Sequence, residues 1–412
     1  MPDKLWSKEL FPRARQLTYL DTAAEGLPPA DAAQALLRYF EHKSMGTQGR
    51  TFLYETAWET TSLAAELLGT SPNEVALLGS ASEALNLLAN SIEWTSGDEV
   101  VIMDLEFPSN VLPWLRLRRR GVQVRLVRSR EGRLDLTDLL AVIGPRTRLV
   151  TVSQVSYKNG VQIPFLAELA QAAHRQGAIF CVDATQALGR VPVSIEGVDY
   201  LVASSYKWTL GSHGVGIVSL APELRERLAP AAVGWYSVKE VFRADRFELY
   251  ETKAGAGCLV AGMPNFPGIY ALQAGLRHVI SAGPVEIDRR LRPLVARLRS
   301  GLEERKCDLL TPPDGELASG IVSFAHPEAE RLGAQLAERG VVVWSGDGRV
   351  RASVHLYNDA SDVDAYFRAL DQILSCPTST FHSAPSLAMT ASPAPLSPIE
   401  TYAVDNEERK RG

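Results

Sequence analysis

Short apolar runs alternate with amphipathic stretches through the first two thirds of this chain, and this alternation constrains its fold more than any other feature. The runs include residues 99–103, 148–152 and 178–182, and an alanine-rich stretch with helical periodicity covers roughly residues 164–176. An apolar run without alternation is typical of a strand buried on both faces, and strands separated by helices form parallel sheets. We therefore predict an α/β fold with a buried, mostly parallel sheet between helices.

The pattern changes near residue 281 and again after residue 375. Long charged stretches with helical periodicity, at 285–304 and 328–339, are interspersed with short strand-like runs, which is typical of an α+β unit. The end of the chain is rich in serine, proline, alanine and threonine and lacks the apolar content needed to bury a core. The predicted organisation is an N-terminal arm at 1–18, a large domain at 19–280, a small C-terminal domain at 281–375 and a disordered tail at 376–412.

The composition is that of an ordinary globular protein and argues against several classes of protein. The net charge of −5 disfavours a nucleic-acid partner, since such proteins carry a basic excess or patch. The four cysteines have no CxxC spacing, so neither a disulfide framework nor a metal site is expected. The first residues contain no apolar leader, and no run of about 18 apolar residues predicts a membrane span. We expect a cytoplasmic protein without a metal or a membrane partner.

Two polar residues near the ends of neighbouring predicted strands indicate the chemistry. Asp183 ends one apolar run, and Lys207 follows it by 24 residues, just beyond the next run at 200–203. Ligand sites in open α/β sheets lie at the carboxyl ends of the strands. Pyridoxal phosphate needs such a pair, because a carboxylate keeps its pyridine nitrogen protonated and a lysine supplies the imine. Taken alone, an aspartate at a strand end is commonly a turn residue and a lysine is commonly a solvated one.

A turn of small residues supports this interpretation. The stretch Gly-Ser-Ala-Ser-Glu-Ala follows a strand-like run and opens a helix, so Ser80, Ala81 and Ser82 could surround a phosphate. Ser82 could also simply cap that helix, and the two roles are compatible. Ser204 is a second candidate phosphate ligand. The glycine-rich residues 211–216 do not match the dinucleotide fingerprint and precede a strand, which disfavours a nicotinamide-dependent dehydrogenase.

With these motifs the sequence resembles the class-V aminotransferase family of fold-type-I pyridoxal-phosphate enzymes over about residues 19–374. YLDTAAEGLP at 19–28 is similar to the family's opening segment near the substrate, SASEALN at 80–86 to its phosphate turn, and EFPSN at 106–110 to the segment whose aromatic residue stacks on the cofactor ring. The family includes cysteine desulfurases, selenocysteine lyases, isopenicillin-N-epimerase-like proteins, kynureninases and C–S lyases. The resemblance implies a seven-stranded sheet, a pyridoxal 5'-phosphate cofactor and a homodimer with shared active sites.

The resemblance also implies roles for individual residues. Lys207 is then the catalytic residue that forms the imine with the cofactor. The implied cofactor-binding residues are Ser80, Ala81 and Ser82 in the phosphate turn, Phe107 stacked on the ring, Asp183 at the pyridine nitrogen, Gln186 at the phenolic oxygen, and Ser204 and Tyr206 beside the phosphate. The implied substrate-binding residues are Arg351 at the carboxylate, Ala24, Tyr157 and, projecting into the site of a partner subunit, Arg50. A guanidinium suits the place of Arg351 because it binds a carboxylate in a planar, bidentate manner.

Three departures from the family pattern narrow the reaction. Desulfurases carry a cysteine shortly before the substrate arginine to receive sulfur as a persulfide, but residues 338–350 contain none, and Cys307 lies too far upstream. Tyr157 stands where desulfurases have asparagine. Met263 replaces the threonine that reaches the neighbouring subunit's phosphate. A persulfide-forming desulfurase is therefore disfavoured.

The preferred hypothesis is a C–S lyase that eliminates a thiol from a cysteine conjugate or another S-substituted cysteine, for which secondary metabolism is a suitable setting. The alternatives within the family are an epimerase, an aminotransferase or a decarboxylating deaminase, since the fate of the carbanion at the α-carbon decides among them. From a different class, the chain could be a non-catalytic binding protein that has kept the fold.

Overall fold

The strands of the fold form largely where the apolar runs predict them. The computed structural model describes residues 7–313, 315 and 317–375. In that part of the chain the strands are β1 (Thr18–Tyr19), β2 (Val75–Leu78), β3 (Glu99–Met103), β4 (Gln123–Val127), β5 (Thr147–Ser153), β6 (Ile179–Asp183), β7 (Tyr200–Ser204), β8 (Gly216–Leu220), β9 (Asp308–Leu309), β10 (Ile321–Ala325), β11 (Val341–Val342), β12 (Trp344–Gly346) and β13 (Arg349–Ser353).

Seven of these strands form the central sheet, in the order β2-β8-β7-β6-β5-β3-β4. Within this sheet β8 runs antiparallel to both of its neighbours, and the other neighbouring pairs are parallel. Every residue of β3, β6 and β8 is buried, which explains why these runs are apolar without alternation. The predicted α/β class with a mostly parallel, seven-stranded sheet is confirmed.

Helices cover both faces of the central sheet. The helices of the described residues are α1 (Asp31–Ser44), α2 (Arg50–Leu68), α3 (Ala81–Ser91), α4 (Leu112–Arg116), α5 (Leu136–Val142), α6 (Leu166–Arg175), α7 (Pro222–Arg227), α8 (Phe266–Ala282), α9 (Pro284–Glu304), α10 (Ala329–Glu338) and α11 (Ala360–Leu374). Val101 and Phe180 belong to the apolar cluster on one face, and their chain neighbours Val100 and Ile179 belong to the cluster on the other. None of these helices has the length and apolar content to cross a membrane.

A second, antiparallel sheet lies in the C-terminal part of the chain, with the order β12-β13-β10-β9. Its apolar residues form a cluster of their own with α9 and α11. Gly283, with a φ of 76°, separates α8 from α9 and lies close to the predicted boundary between residues 280 and 281. That boundary and the other predicted domain limits stay predictions, and the tail at 376–412 falls outside the described residues.

A tight hairpin leads into β13. Gly346 pairs with Arg349, so Asp347 and Gly348 form a two-residue turn, with φ angles of 50° and 67°. Positive φ at both positions is the mark of a type I′ turn, which the Asp-Gly sequence favours. The region in which desulfurases carry their cysteine is therefore a short, paired hairpin in this chain.

The N-terminal residues pack against the second sheet and its helices. Phe11 is fully buried, and its ring lies 4.9 Å from that of Tyr357. Thr18 pairs with Val341 in a parallel ladder between β1 and β11. The segment that follows β1 is thereby brought to the carboxyl edge of the central sheet.

Candidate active site

A cleft opens at the edge where the parallel strands β5, β6 and β7 end. This is the edge at which open α/β sheets bind ligands. Its lining residues are Ser80, Ala81, Ser82, Phe107, Ser109, Ser153, Val155, Tyr157, Asp183, Thr185, Gln186, Ser204, Tyr206 and Lys207. The structure thus brings the predicted cofactor-binding residues together in one place, although they come from four separate segments of the chain.

Lys207 lies just beyond β7 and is almost entirely buried. Burial, and secondly the charge of Arg351, lower the pKa of its ammonium group to about 8. Its Nζ lies 5.4 Å from the centre of the Phe107 ring and 5.6 Å from that of Tyr206. The opening segment packs directly on its backbone, because a Cβ at Gly26 would lie 2.0 Å from the Lys207 carbonyl oxygen. The lysine is therefore held in place and is partly neutral near physiological pH.

Asp183 is the last residue of β6, and its carboxylate borders the cleft. The carboxylate accepts a hydrogen bond of 2.8 Å from the backbone N–H of Thr185. Burial raises its pKa. Within the described residues it forms no ion pair. A buried carboxylate of this kind is stabilised by a cationic or N–H-bearing ligand at the base of the cleft.

The phosphate-turn residues form the N-terminus of α3 and also line the cleft. The hydroxyl of Ser80 caps the helix by accepting a bond of 3.0 Å from the N–H of Glu83, so the capping residue is Ser80 and not Ser82 as the sequence suggested. The hydroxyl of Ser82 lies 2.7 Å from that of Ser109. A Cβ at Gly216 would lie 2.5 Å from the Ser80 carbonyl carbon, so glycine lets β8 approach this turn. Free N–H groups, hydroxyls and the helix dipole suit an anion here.

Gln186 lines the cleft but is also tied to the protein at both ends of its amide. Its Nε2 donates to the carbonyl of Ala23 over 2.9 Å, and its Oε1 accepts from the indole N–H of Trp208 over 2.7 Å. One Nε2 hydrogen is left for a ligand. A bond from Gln186 to the phenolic oxygen of the cofactor remains a prediction.

Glu106 is a buried acid beneath the cleft that the sequence analysis did not identify. Its carboxyl group accepts hydrogen bonds from the backbone N–H of Ser153 over 2.7 Å and from Asn110 Nδ2 over 2.8 Å. Burial raises its pKa to about 8. These bonds join the loop that carries Phe107 to the end of β5. The only signal in the sequence was a charged residue directly before the aromatic one.

Arg351, on β13, lies close to Tyr157 at the wall of the cleft. Its Nη1 donates to the carbonyl oxygen of Tyr157 over 2.9 Å, and its Nη2 lies 3.7 Å from Asp21 Oδ1. Burial lowers the pKa of Arg351 to about 10 and raises that of Asp21 to about 7. The Tyr157 ring meets the Phe107 ring edge-on at 5.1 Å. Arg351 therefore offers a buried guanidinium close to the wall of the cleft.

Three predicted substrate residues, Arg351, Arg50 and Ala24, are not among the described residues that line this cleft. Arg50 begins α2 and is exposed. Ala24 is half-buried and donates its N–H to the carbonyl of Asp21 over 3.0 Å. Cys181, Cys258 and Cys307 are not among the lining residues either. His213 is exposed, stacks on Tyr206 at 4.4 Å and lies 3.0 Å from Glu25.

The arrangement suits a ligand with three recognisable parts. An anionic end fits the N-terminus of α3, a flat ring fits beside Phe107, and a ring nitrogen fits against Asp183. Lys207 supplies an amine that attacks a carbonyl carbon once it has lost its proton. Arg351 has an Nε without a hydrogen-bond partner among the described residues, and this donor suits a carboxylate.

Comparisons with known proteins show which family the chain is similar to. The family model described as Aminotransferase class-V matches residues 18–366. A probable cysteine desulfurase of Pseudomonas putida is 32% identical over 381 residues, which are 86% of this chain and 93% of that protein. The isopenicillin N epimerase of Streptomyces clavuligerus is 28% identical over 390 residues, with 86% and 94% covered. The apo structure of a cysteine desulfurase from Thermococcus onnurineus NA1 superimposes with a TM-score of 0.82 at 27% identity, covering 90% of this chain and 98% of that one.

Proposed function

Because the chain belongs to the class-V aminotransferase family and is a pyridoxal 5'-phosphate-dependent enzyme, we propose that it cleaves the carbon–sulfur bond of S-substituted cysteines by β-elimination. The cleft supports this cofactor residue by residue. The N-terminus of α3 with Ser82 and Ser204 would hold the phosphate, Phe107 would cover the ring, and Asp183 would pair with the pyridine nitrogen. Bound pyridoxal phosphate supplies an electron sink for the pair of electrons left at the α-carbon of the substrate.

Lys207 is the base in the proposed reaction. Its lowered pKa, about 8, leaves part of the population neutral at neutral pH, and such a group can both accept and return a proton. The α-proton of the substrate passes to Nζ, the bond between the β-carbon and sulfur breaks, and the electron pair leaves with the sulfur, which is released as a thiol. The remaining three-carbon unit takes up water and yields pyruvate and ammonia.

Arg351 would bind the α-carboxylate of the substrate and thereby orient the α-proton. A guanidinium binds a carboxylate through two parallel N–H donors. Tyr157 is fixed beside it, since Arg351 Nη1 donates to the Tyr157 carbonyl. The burial of Arg351 keeps water away from that pair and strengthens its attraction for an anion.

We prefer elimination to persulfide formation because the described residues around the cleft include no cysteine that could accept sulfur. None of the cysteines of the described chain lines it. The stretch before Arg351 is the Asp347–Gly348 hairpin, whose paired strands leave no loop that could carry an acceptor into the cleft. Sulfur is therefore released as a free thiol in this proposal, with no persulfide on the protein.

We also propose that the active enzyme is a homodimer with cytoplasmic location, as the family resemblance implies. Large apolar side chains are exposed on the outer face of α1 and α2, including Phe40 and Trp58. The segment 231–263 continues this surface, since Tyr54 of α2 packs against Tyr236 at 6.3 Å and contacts Met263. A second copy of the chain would cover this face, and Arg50 lies at its edge.

The elimination is tested with a panel of S-substituted cysteines and the cofactor-loaded protein. Thiol, pyruvate and ammonia should appear in equal amounts, and Lys207→Ala should abolish all three. Lys306→Ala, which removes an exposed lysine just after α9, serves as the matched control and should keep full activity. If the wild type exchanges the α-proton with solvent but releases no thiol from any member of the panel, the lyase assignment is wrong. An epimerase or aminotransferase assignment would then replace it.

A further inference from the structure

β13 carries a second buried arginine, two residues before Arg351. The side chain of Arg349 is 2% exposed and that of Arg351 is 4% exposed. Alternate residues of a strand point to the same face and lie about 7 Å apart. Two guanidinium groups therefore lie on one face of the same short strand, close to the wall of the cleft.

Aromatic rings hold the two guanidiniums in this place. The Cζ of Arg349 lies 4.6 Å from the centre of the Trp344 ring, and the Cζ of Arg351 lies 5.1 Å from it. Arg349 also lies 5.3 Å from the centre of the Tyr157 ring, and Tyr157 lines the cleft. Arg349 is thus separated from the cleft by one side chain that borders both.

The carboxylates around the two arginines do not balance their charge. Arg349 Nη1 pairs with Asp347, whose side chain is largely exposed. Asp21, the carboxylate near Arg351, has a pKa raised to about 7 by burial, so it is only partly ionised at neutral pH. The Nε atoms of both arginines are buried and have no hydrogen-bond partner in the described part of the chain. Unpaired buried donors of charged groups are costly unless a ligand satisfies them.

We propose that Arg349 recognises a second anionic group on the substrate, so that the preferred substrates are S-substituted cysteines whose substituent carries a carboxylate. The inference rests on the proposed function for its substrate class. Arg351 binds the α-carboxylate, and the substituent on sulfur reaches past Tyr157 to Arg349. A neutral substituent of the same length leaves the Nε–H of Arg349 without a partner. A site that hydrogen-bonds one group of its substrate discriminates strongly against analogues that lack this group.

The test uses binding of unreactive acids, so that it does not depend on turnover. Glutarate, with two carboxylates, and butyrate, with one, are titrated calorimetrically into the cofactor-loaded protein. The wild type should bind glutarate at least about tenfold more tightly, as a charge-assisted pair predicts. Arg349→Met should abolish this preference and leave butyrate binding unchanged, and Arg349→Lys, which keeps the charge, should retain part of it.

Asp347→Asn is the matched control, because it breaks the ion pair of Arg349 and leaves the arginine in place. It should keep the preference for glutarate. Equal binding of both acids by the wild type, or equal weakening of both by Arg349→Met, would overturn the assignment. Loss of the preference in Asp347→Asn as complete as in Arg349→Met would also overturn the assignment, because the ion pair between Arg349 and Asp347 would then have a structural role.

The elimination itself is compared with S-carboxymethylcysteine and S-methylcysteine. The wild type should show a higher kcat/KM for the carboxymethyl compound, and Arg349→Met should remove the difference. If glutarate is preferred but neither compound releases thiol, Arg349 retains its role and the lyase assignment fails. Thiol release from both compounds at equal kcat/KM, with no preference for glutarate, would refute the role of Arg349 and leave the lyase assignment intact.

Discussion

Lys207 has lost most of its contact with water, and this burial lowers the pKa of its ammonium group from the ordinary 10.5 to about 8. Only the neutral amine attacks a carbonyl carbon, so the reactive fraction rises with pH and reaches one half near the pKa. The second cause of the shift is the positive charge of Arg351. The reactivity of the lysine is therefore set by two features of the fold, its depth and its cationic neighbour.

This leads to a prediction for the uptake of pyridoxal phosphate by the cofactor-free protein. The rate of covalent attachment, measured by the change in visible absorbance, should rise with pH and level off above a midpoint of about 8. In Arg351→Met the midpoint should move to higher pH, because a nearby cation no longer disfavours the ammonium form. A midpoint near the ordinary lysine value in the wild type, or an unchanged midpoint in the variant, would contradict this explanation.

Individual site residues could be predicted from the sequence where cofactor chemistry requires a particular residue type at the end of a strand. Asp183 and Lys207 were predictable for that reason, and both line the cleft. Asp21 and Glu106 could not be predicted in this way. Both matter because they are buried and contact residues distant in the chain, Asp21 contacting Arg351 and Glu106 contacting Ser153. Single-sequence patterns do not reveal such contacts.

Among the elements, the hairpin before β13 decides most about function. The sequence predicted short strand-like runs after the helical stretch 328–339, and the structure resolves them into β11, β12 and a two-residue turn before β13. β8 also differs from a fully parallel arrangement. It follows β7 after residues 205–215 only, and a connection without a crossover helix returns the chain antiparallel. Strand positions are thus predictable from apolar runs, while strand direction depends on the connections.

The turn of this hairpin should depend on its glycine. Gly348 has a φ of 67°, a conformation that costs a residue with a Cβ about 1–2 kcal/mol. Gly348→Ala should lower the free energy of unfolding by about that amount in denaturant titrations. Gly144→Ala is the control, because Gly144 has open space and an ordinary φ, and it should change stability by less than about 0.5 kcal/mol. Equal effects of the two substitutions would show that the turn is not under this constraint.

In the whole molecule, several large apolar side chains are exposed to solvent in the single chain. Phe242 and Phe247 are 85% and 86% exposed, and Trp58 is 55% exposed. Contiguous apolar surface of this kind is typical of an interface between subunits. The surface comprises α1, α2 and the segment 231–263, which the sequence alone could not show, because these elements are far apart in the chain.

The proposed homodimer is tested by placing a charge on this surface. Trp58→Glu should weaken dimerisation by about tenfold or more, since an unpaired charge would be buried in the interface. Val285→Glu is the control, because Val285 is 69% exposed at the start of α9, outside this surface, and it should leave the dimer intact. Sedimentation velocity distinguishes monomer from dimer. A wild type that remains monomeric at micromolar concentration would refute the dimer.

We propose that Lys207 is the one lysine to which the cofactor is attached. The most direct measurement is borohydride reduction of the protein loaded with pyridoxal phosphate, followed by digestion and mass spectrometry of the peptides. We predict that the reduced cofactor is found on Lys207 and that the label disappears in Lys207→Ala. A label on another lysine, or no label on a correctly folded wild type, would show that Lys207 is not the attachment site.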